Sequence, residues 1–463
     1  MMKIIYTLSI LACLFASGLV PPAGGEEPDK REKLVLIEAG RVITISGEEC
    51  PEGRILLADD KVKKVGKDIN GRKASRVIDA RKEVVMPGMI LARTSWQASS
   101  RGRSGVHADR SIETEIYLEQ IDFKPLLEAG FTAACYRPGG RGIPGVAIIY
   151  HTAGPNERKK LTSSYIPITM TSPGGDKGML RGAVAKARAE IKKVEKARKE
   201  WEEKQKKAKE GKKPDAKDDK DKPSPDKDKT AEDKEKKEQE KKEGDKQQPE
   251  KKDEKPVQKP EKKEPEAFKP PKIDPSVEPL VEWIRDKKGP PLLFELSRAS
   301  DFLHLKDALK ETPELPVKLL YLSRSSYSDY NHVVEEIGKL EATVMLSAAV
   351  GRLPHTATRY NLPAESSLAG GKVVLLPRSD AQPAFDELRV NMAELVRCGL
   401  SREEALKSVT LNAAEALGVE KQLGSIEEGK AADLIFLDGD PLAPGTRVTR
   451  VMIGGKIAWE AGK

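Results

Sequence analysis

The segment Arg137-Pro138-Gly139-Gly140-Arg141-Gly142-Ile143-Pro144-Gly145-Val146 has the glycine density of a loop that wraps a phosphate in backbone N–H groups. It lacks the Lys-Ser/Thr ending of a nucleotide loop and the glycine spacing of a dinucleotide fold, so neither chemistry is expected of it. Cys50, Cys135 and Cys398 have spacings that match no zinc site and no redox pair, and no disulfide framework is expected. Cys135 lies in the apolar run Phe131-Thr132-Ala133-Ala134-Cys135-Tyr136, which reads as a buried strand and not as the setting of a nucleophile. The five histidines are His107, His151, His304, His332 and His355; His304 and His332 fall in helix-like segments, where a surface or capping role is expected.

These side chains must be positioned by a chain whose charge is unevenly spread. Charged residues make up 34% and aromatics 5%, unusual for one compact globule. The formal charge of +8 is the near-cancelling balance of 82 basic and 74 acidic residues, which does not demand a nucleic-acid partner. Met1-Met2-Lys3, a short apolar run from Ile4 to Ala16 and small residues after it read as a signal peptide over residues 1–23, so export to a periplasmic or extracellular location is expected. Ile10-Leu11-Ala12-Cys13 resembles a lipobox, which makes a lipid anchor at Cys13 the alternative. No later stretch approaches membrane-spanning length, and no transmembrane anchor is expected.

Residues 33–88 alternate short β-rich runs with turn signals, and residues 421–463 add further strands ending in a Gly454-Gly455 turn. Between them strand-like and helix-like runs alternate over 89–179 and 270–420, as a parallel barrel requires. Strands are predicted at Leu292–Leu296, Val317–Leu322, Thr343–Ser347 and Lys372–Leu376, and a helix from about Pro383 to Cys398 stops at Gly399. The interruption begins with one long helix over 180–210, whose narrow stripe of Val184, Ala187, Ile191, Val194 and Trp201 has heptad-like spacing. A helix leaning on the barrel explains that stripe better than a coiled-coil partner. Residues 211–265 are lysine, glutamate, aspartate and proline with almost nothing apolar, and are predicted to be a disordered polyampholyte tether.

Two segments at opposite ends carry a resemblance. Val84-Val85-Met86-Pro87-Gly88-Met89-Ile90-Leu91-Ala92-Arg93-Thr94-Ser95, and Thr410-Leu411-Asn412-Ala413-Ala414 through Gly424-Ser425-Ile426-Glu427-Glu428-Gly429-Lys430-Ala431-Ala432-Asp433-Leu434, resemble the opening and closing signatures of the amidohydrolase superfamily of metal-dependent hydrolases, closest to its imidazolonepropionase-like exported branch. The resemblance implies an α/β fold: a (β/α)8 TIM-like barrel flanked by a small β-sandwich built from both chain ends. It also implies hydrolysis of non-peptide carbon–nitrogen bonds through a divalent metal, which lowers the pKa of bound water to about 7 and polarises the carbonyl.

The ligand positions that the resemblance marks are largely altered. The family's Pro-Gly-x-Ile-Asp-x-His-x-His reads here with Leu91 for the Asp and with Arg93 and Ser95 for the histidines. The His-x-His of strand five is Glu295 and Ser297, strand six offers Tyr321 and Leu322, and only the strand-eight aspartate is retained, as Asp380. A guanidinium does not deprotonate in a protein, so Arg93 cannot ligate. It is instead expected to pair with Glu295 or Asp380 in place of the metal. The glycine-rich piece becomes a loop near the barrel mouth, where Arg137 and Arg141, with Arg101, Arg103 and Arg298, give a positive rim suited to an anionic ligand; Arg137 and Arg298 are the candidate substrate-binding residues.

The expectation is a catalytically eroded member that retains its barrel as a binding or structural module, with no bound cofactor and a small molecule or protein as partner. The alternative is an active hydrolase that holds zinc or another divalent metal through Asp380 and Glu295, with Asp380 as the catalytic residue.

Overall fold

The computed structural model describes residues 33–98, 102–153, 160–172, 174–210 and 267–462. The expected signal peptide, Cys13 and the charged tether of 211–265 lie outside these residues, as does Arg101.

Both chain ends enter one eight-stranded sheet. The N-terminal end supplies Leu34–Val42, Cys50–Pro51, Arg54–Ala58, Lys61–Gly66 and Arg76–Pro87, and the C-terminal end Leu434–Leu437, Val448–Ile453 and Lys456–Glu460. The ends join where Leu434 faces Pro87 and Leu437 faces Val84 in an antiparallel ladder. Alternation puts Ile37, Ala39, Ile55, Leu57, Ile78, Ala80, Phe436 and Met452 into one core. The sheet curls about that core: Lys61 bridges Ala431, and Val62 N–H donates to Lys430 O. The two-layer sandwich expected from sequence is therefore realised as a single curled sheet, because strong twist lets a many-stranded sheet cover its own apolar face.

Eight staves surround the barrel axis. They are β1 (Met89–Thr94), β2 (Phe131–Tyr136), β3 (Ile148–His151), β4 (Ile166–Thr169), β5 (Leu292–Leu296), β6 (Leu319–Leu322), β7 (Thr343–Ser347) and β8 (Lys372–Leu376). The run β4 to β8 is continuous and parallel, and β1 pairs β2 in parallel. Ile90, Ala92, Ala133, Cys135, Ile149, Leu293, Leu319, Met345, Val374 and Leu376 fill the axis. A TIM-barrel-like α/β fold thus holds, with one departure from an all-parallel barrel: β3 runs antiparallel to β2. Only residues 137–147 connect them, too few for a helical crossover, so the chain turns back directly.

The long helix, α2 of the four helices that concern us, follows α1 (Lys124–Ala129) and spans Gly175–Glu210, five residues longer at its start than its sequence pattern suggested. Its stripe is used within the chain. Leu180, Ala183, Val184 and Ala187 are buried, and α2 packs on α3 (Glu278–Asp286) and α4 (Ala299–Glu311). Arg188 pairs with Glu314 at 2.8 Å, and the Trp201 ring meets Phe268 at 5.8 Å. These contacts leave α2 leaning on the barrel.

Candidate functional site

The C-terminal ends of the parallel staves bring together residues far apart in sequence. Pairing of β1 with β2 advances from Leu91↔Ala134 to Thr94↔Tyr136, three residues against two, so β1 carries an extra residue there. Such a bulge re-aims side chains. Here Arg93 reaches across the axis: its Nε and Nη2 donate to Glu295 Oε1 at 3.0 and 2.8 Å, and its guanidinium carbon lies 3.9 Å from the centre of the Tyr321 ring.

The pair is almost out of water, with Arg93 and Glu295 side chains 14% and 11% exposed. Burial alone would push the Glu295 carboxyl upward, but the charges of Arg93 and Arg137 and the Arg93 hydrogen bonds outweigh it and hold it below its usual value. Burial likewise opposes the Arg93 charge, and Glu295, Tyr321 and Tyr165 raise its pKa above the ordinary guanidinium value. Both groups stay ionised. Each fixes the other, and the cation stacks on an aromatic face.

Asp380, after β8, is held separately. Its Oδ1 accepts from Thr94 Oγ1 at 2.7 Å, and its Oδ2 accepts from Ser95 N–H and Ser95 Oγ, both at 2.8 Å. Of the two carboxylates that could have paired with Arg93, the structure selects Glu295 and leaves Asp380 to β1's hydroxyls.

The remaining expected positions do not join them. On β6 alternation turns Leu319 and Tyr321 to the axis and Leu320 and Leu322 to the outer core, so Tyr321 and not Leu322 is the residue beside Arg93. Ser297 and Arg298 give their backbone N–H groups to Asp301 Oδ2 at 2.8 and 2.9 Å, which fixes the start of α4. The Arg298 side chain is exposed, as are Arg103 and Arg141. Arg137 is half-buried, donates through Nη1 to Pro138 O at 3.3 Å, and adds its charge to Glu295. Cys135 is fully buried, and burial pushes its thiol up to about 12, which removes it as a nucleophile. Sequence reasoning missed Thr94 and Tyr165; Thr94 sits inside the opening signature and Tyr165 in no motif, and their roles depend on partners 286 and 73 residues away.

A catalytic divalent ion needs imidazoles or carboxylates with free lone pairs converging on one point. Here five hydrogen bonds already occupy the two carboxylates, a guanidinium is paired with Glu295, and among the described residues no three His, Cys, Asp or Glu side chains converge. This donor set does not fit such an ion.

The sequence model described as "Amidohydrolase family" matches residues 369–458, from before β8 into the last strand of the end sheet. An amidohydrolase from Thermotoga maritima has the same fold, with a TM-score of 0.64 at 18% identity over 92% of this chain and 100% of that one. Together these similarities support membership of the amidohydrolase superfamily. Among curated relatives, imidazolonepropionase from Picrophilus torridus is 40% identical over 72 residues, 15% of this chain and 18% of that protein. The enzyme of the same description from Shewanella frigidimarina is 41% identical over 85 residues, 17% and 20% of the two chains. The chain therefore matches only about a fifth of the length of these relatives.

Proposed function

We propose that this superfamily member is catalytically eroded and keeps its barrel as a binding or structural module, with a small molecule or a protein as its partner. The observation that carries the reading is the buried Arg93–Glu295 ion pair. In a working site of the family's chemistry a metal would supply the hydroxide and the electrophile. Here a permanent cation with five fixed donors takes up Glu295's charge, and it can neither bind water as a Lewis acid nor accept a proton. The signal-like first residues support an exported location.

The second reading is an active hydrolase of non-peptide carbon–nitrogen bonds with a metal on Asp380 and Glu295. Its one favourable observation is that Asp380 and Ser95 are exposed, so their hydrogen bonds open to solvent. It requires Glu295 to abandon Arg93.

Thermal unfolding of the full chain, in chelator and then in excess zinc, separates the two. A ligand that binds only the folded state raises stability by about 2.7 kcal/mol at a hundredfold excess over its Kd. The eroded reading expects the same Tm in both buffers. A zinc-dependent rise of several degrees overturns it.

A further inference from the structure

At the other end of the barrel, where the end sheet meets the starts of the parallel staves, lies a cavity of about 670 Å³. That is within the range of about 300–1,000 Å³ of small-molecule sites. Because β3 runs backwards, its last residue, His151, comes to this N-terminal end. The closing signature brings Asp433 to the same place, and His151 Nε2 lies 3.1 Å from Asp433 Oδ2. Asp433 is anchored from behind, its Oδ1 accepting the Gly454 N–H at 2.8 Å. Its Oδ2 and the His151 Nε2 are buried against each other, so the carboxylate fixes the imidazole on the cavity wall.

Four exposed lysines, Lys61, Lys160, Lys421 and Lys456, line the same cavity, against two carboxylates, Asp60 and Asp433. Lys160 is engaged by Glu113, and Asp433 is already committed to His151 and Gly454. Among the described residues Lys61 and Lys421 have no carboxylate partner. The wall therefore carries more lysines than carboxylates, and an imidazole.

We infer that this cavity is a binding site for a small multivalent organic anion, a phosphate ester or a polycarboxylate. Lys61 and Lys421 supply its charge recognition, and the His151–Asp433 pair orients the bound group. Flexible lysines act as point charges and suit either anion. The buried imidazole, held by its carboxylate, adds a directional contact that flexible lysines lack. The inference does not rest on the state of the opposite end of the barrel.

Calorimetric titration of the full chain with inorganic phosphate and, separately, with citrate tests it. The expected result is saturable one-to-one binding of at least one probe. Lys61→Gln with Lys421→Gln should weaken it about tenfold with an unchanged melting curve, and His151→Gln should weaken it as well. Phosphate alone identifies a phosphate ester as the ligand class, and citrate alone a polycarboxylate. Lys204→Gln with Lys206→Gln, on the exposed outer part of α2, should leave binding unchanged. Absence of saturable binding of either probe overturns the inference, as does equal weakening by the α2 variant, which would place binding on lysine-rich surface in general.

Discussion

The two ends of the barrel use the same residue types in opposite ways. At the C-terminal end, Arg93 and Glu295 neutralise each other in one buried pair, and Asp380 is held separately by Thr94 and Ser95. At the N-terminal end, His151 and Asp433 meet on the wall of a cavity lined by Lys61 and Lys421, which have no carboxylate partner among the described residues. Enzymes built on this fold place their chemistry at the C-terminal end, where the loops after the strands are free to vary without disturbing the core. In this chain a buried ion pair occupies that end, and lysines without a carboxylate partner among the described residues line a cavity at the end that is ordinarily structural. Where a guanidinium and a carboxylate hold each other, little charge is left for a ligand; where lysines are left over, binding is the natural reading.

The largest expected effect is at the filled end. Arg93→Met strands the Glu295 carboxylate in a buried site and should cost about 3–5 kcal/mol of stability. The double variant Arg93→Met with Glu295→Leu removes both charges and should recover most of that loss, since a buried pair and an apolar replacement are often nearly equivalent. Urea unfolding of the three proteins gives the comparison. A small loss in Arg93→Met would show that the guanidinium is not the centre of this end.

Asp380→Asn should cost less, about 1–2 kcal/mol, because it weakens hydrogen bonds to Thr94 and Ser95 at an exposed site without leaving a buried charge. The same unfolding measurement reads it. A loss as large as that of Arg93→Met would make the two carboxylates a single unit.

Acid sharpens the comparison further. The Glu295 pKa is depressed in the folded state below its ordinary 4.5, so the stability it contributes is present above that value and is lost as the pH falls through the lower, folded pKa. The wild type should therefore lose stability on acidification below about pH 4.5 more steeply than the Arg93→Met, Glu295→Leu variant. Parallel acid limbs would show that the pair is not the source. The smallest effect is at the open end: Lys61→Gln with Lys421→Gln should change stability by less than about 0.5 kcal/mol, as is usual for exposed side chains.

Much of this arrangement was legible in the sequence. Strands at Leu292–Leu296, Thr343–Ser347 and Lys372–Leu376 emerged with their expected bounds, because apolar β-rich runs bounded by turn residues are a local signal. The helix expected from Pro383 to Cys398 is broken into Gln382–Asp386 and Leu388–Arg397, and Gly399 ends it with φ of +108°, a conformation that favours glycine. A partnership of Arg93 with a carboxylate was expected from charge alone. Which carboxylate, and with which aromatic face, was not, because the choice depends on a one-residue bulge in β1 that no local pattern announces. The reversal of β3 was hidden for a similar reason: an apolar run reads the same in either direction. The meeting of His151 and Asp433, 282 residues apart, follows only from that reversal and the joining of the chain ends.

Metal analysis of the full chain, purified without chelator after growth with zinc and manganese, tests the central claim most directly. A cooperatively folded protein carrying far less than one equivalent of metal is the result predicted by an ion pair standing in the catalytic end. Stoichiometric metal that disappears in Asp380→Ala or Glu295→Ala would contradict it and make this chain a working metal-dependent hydrolase.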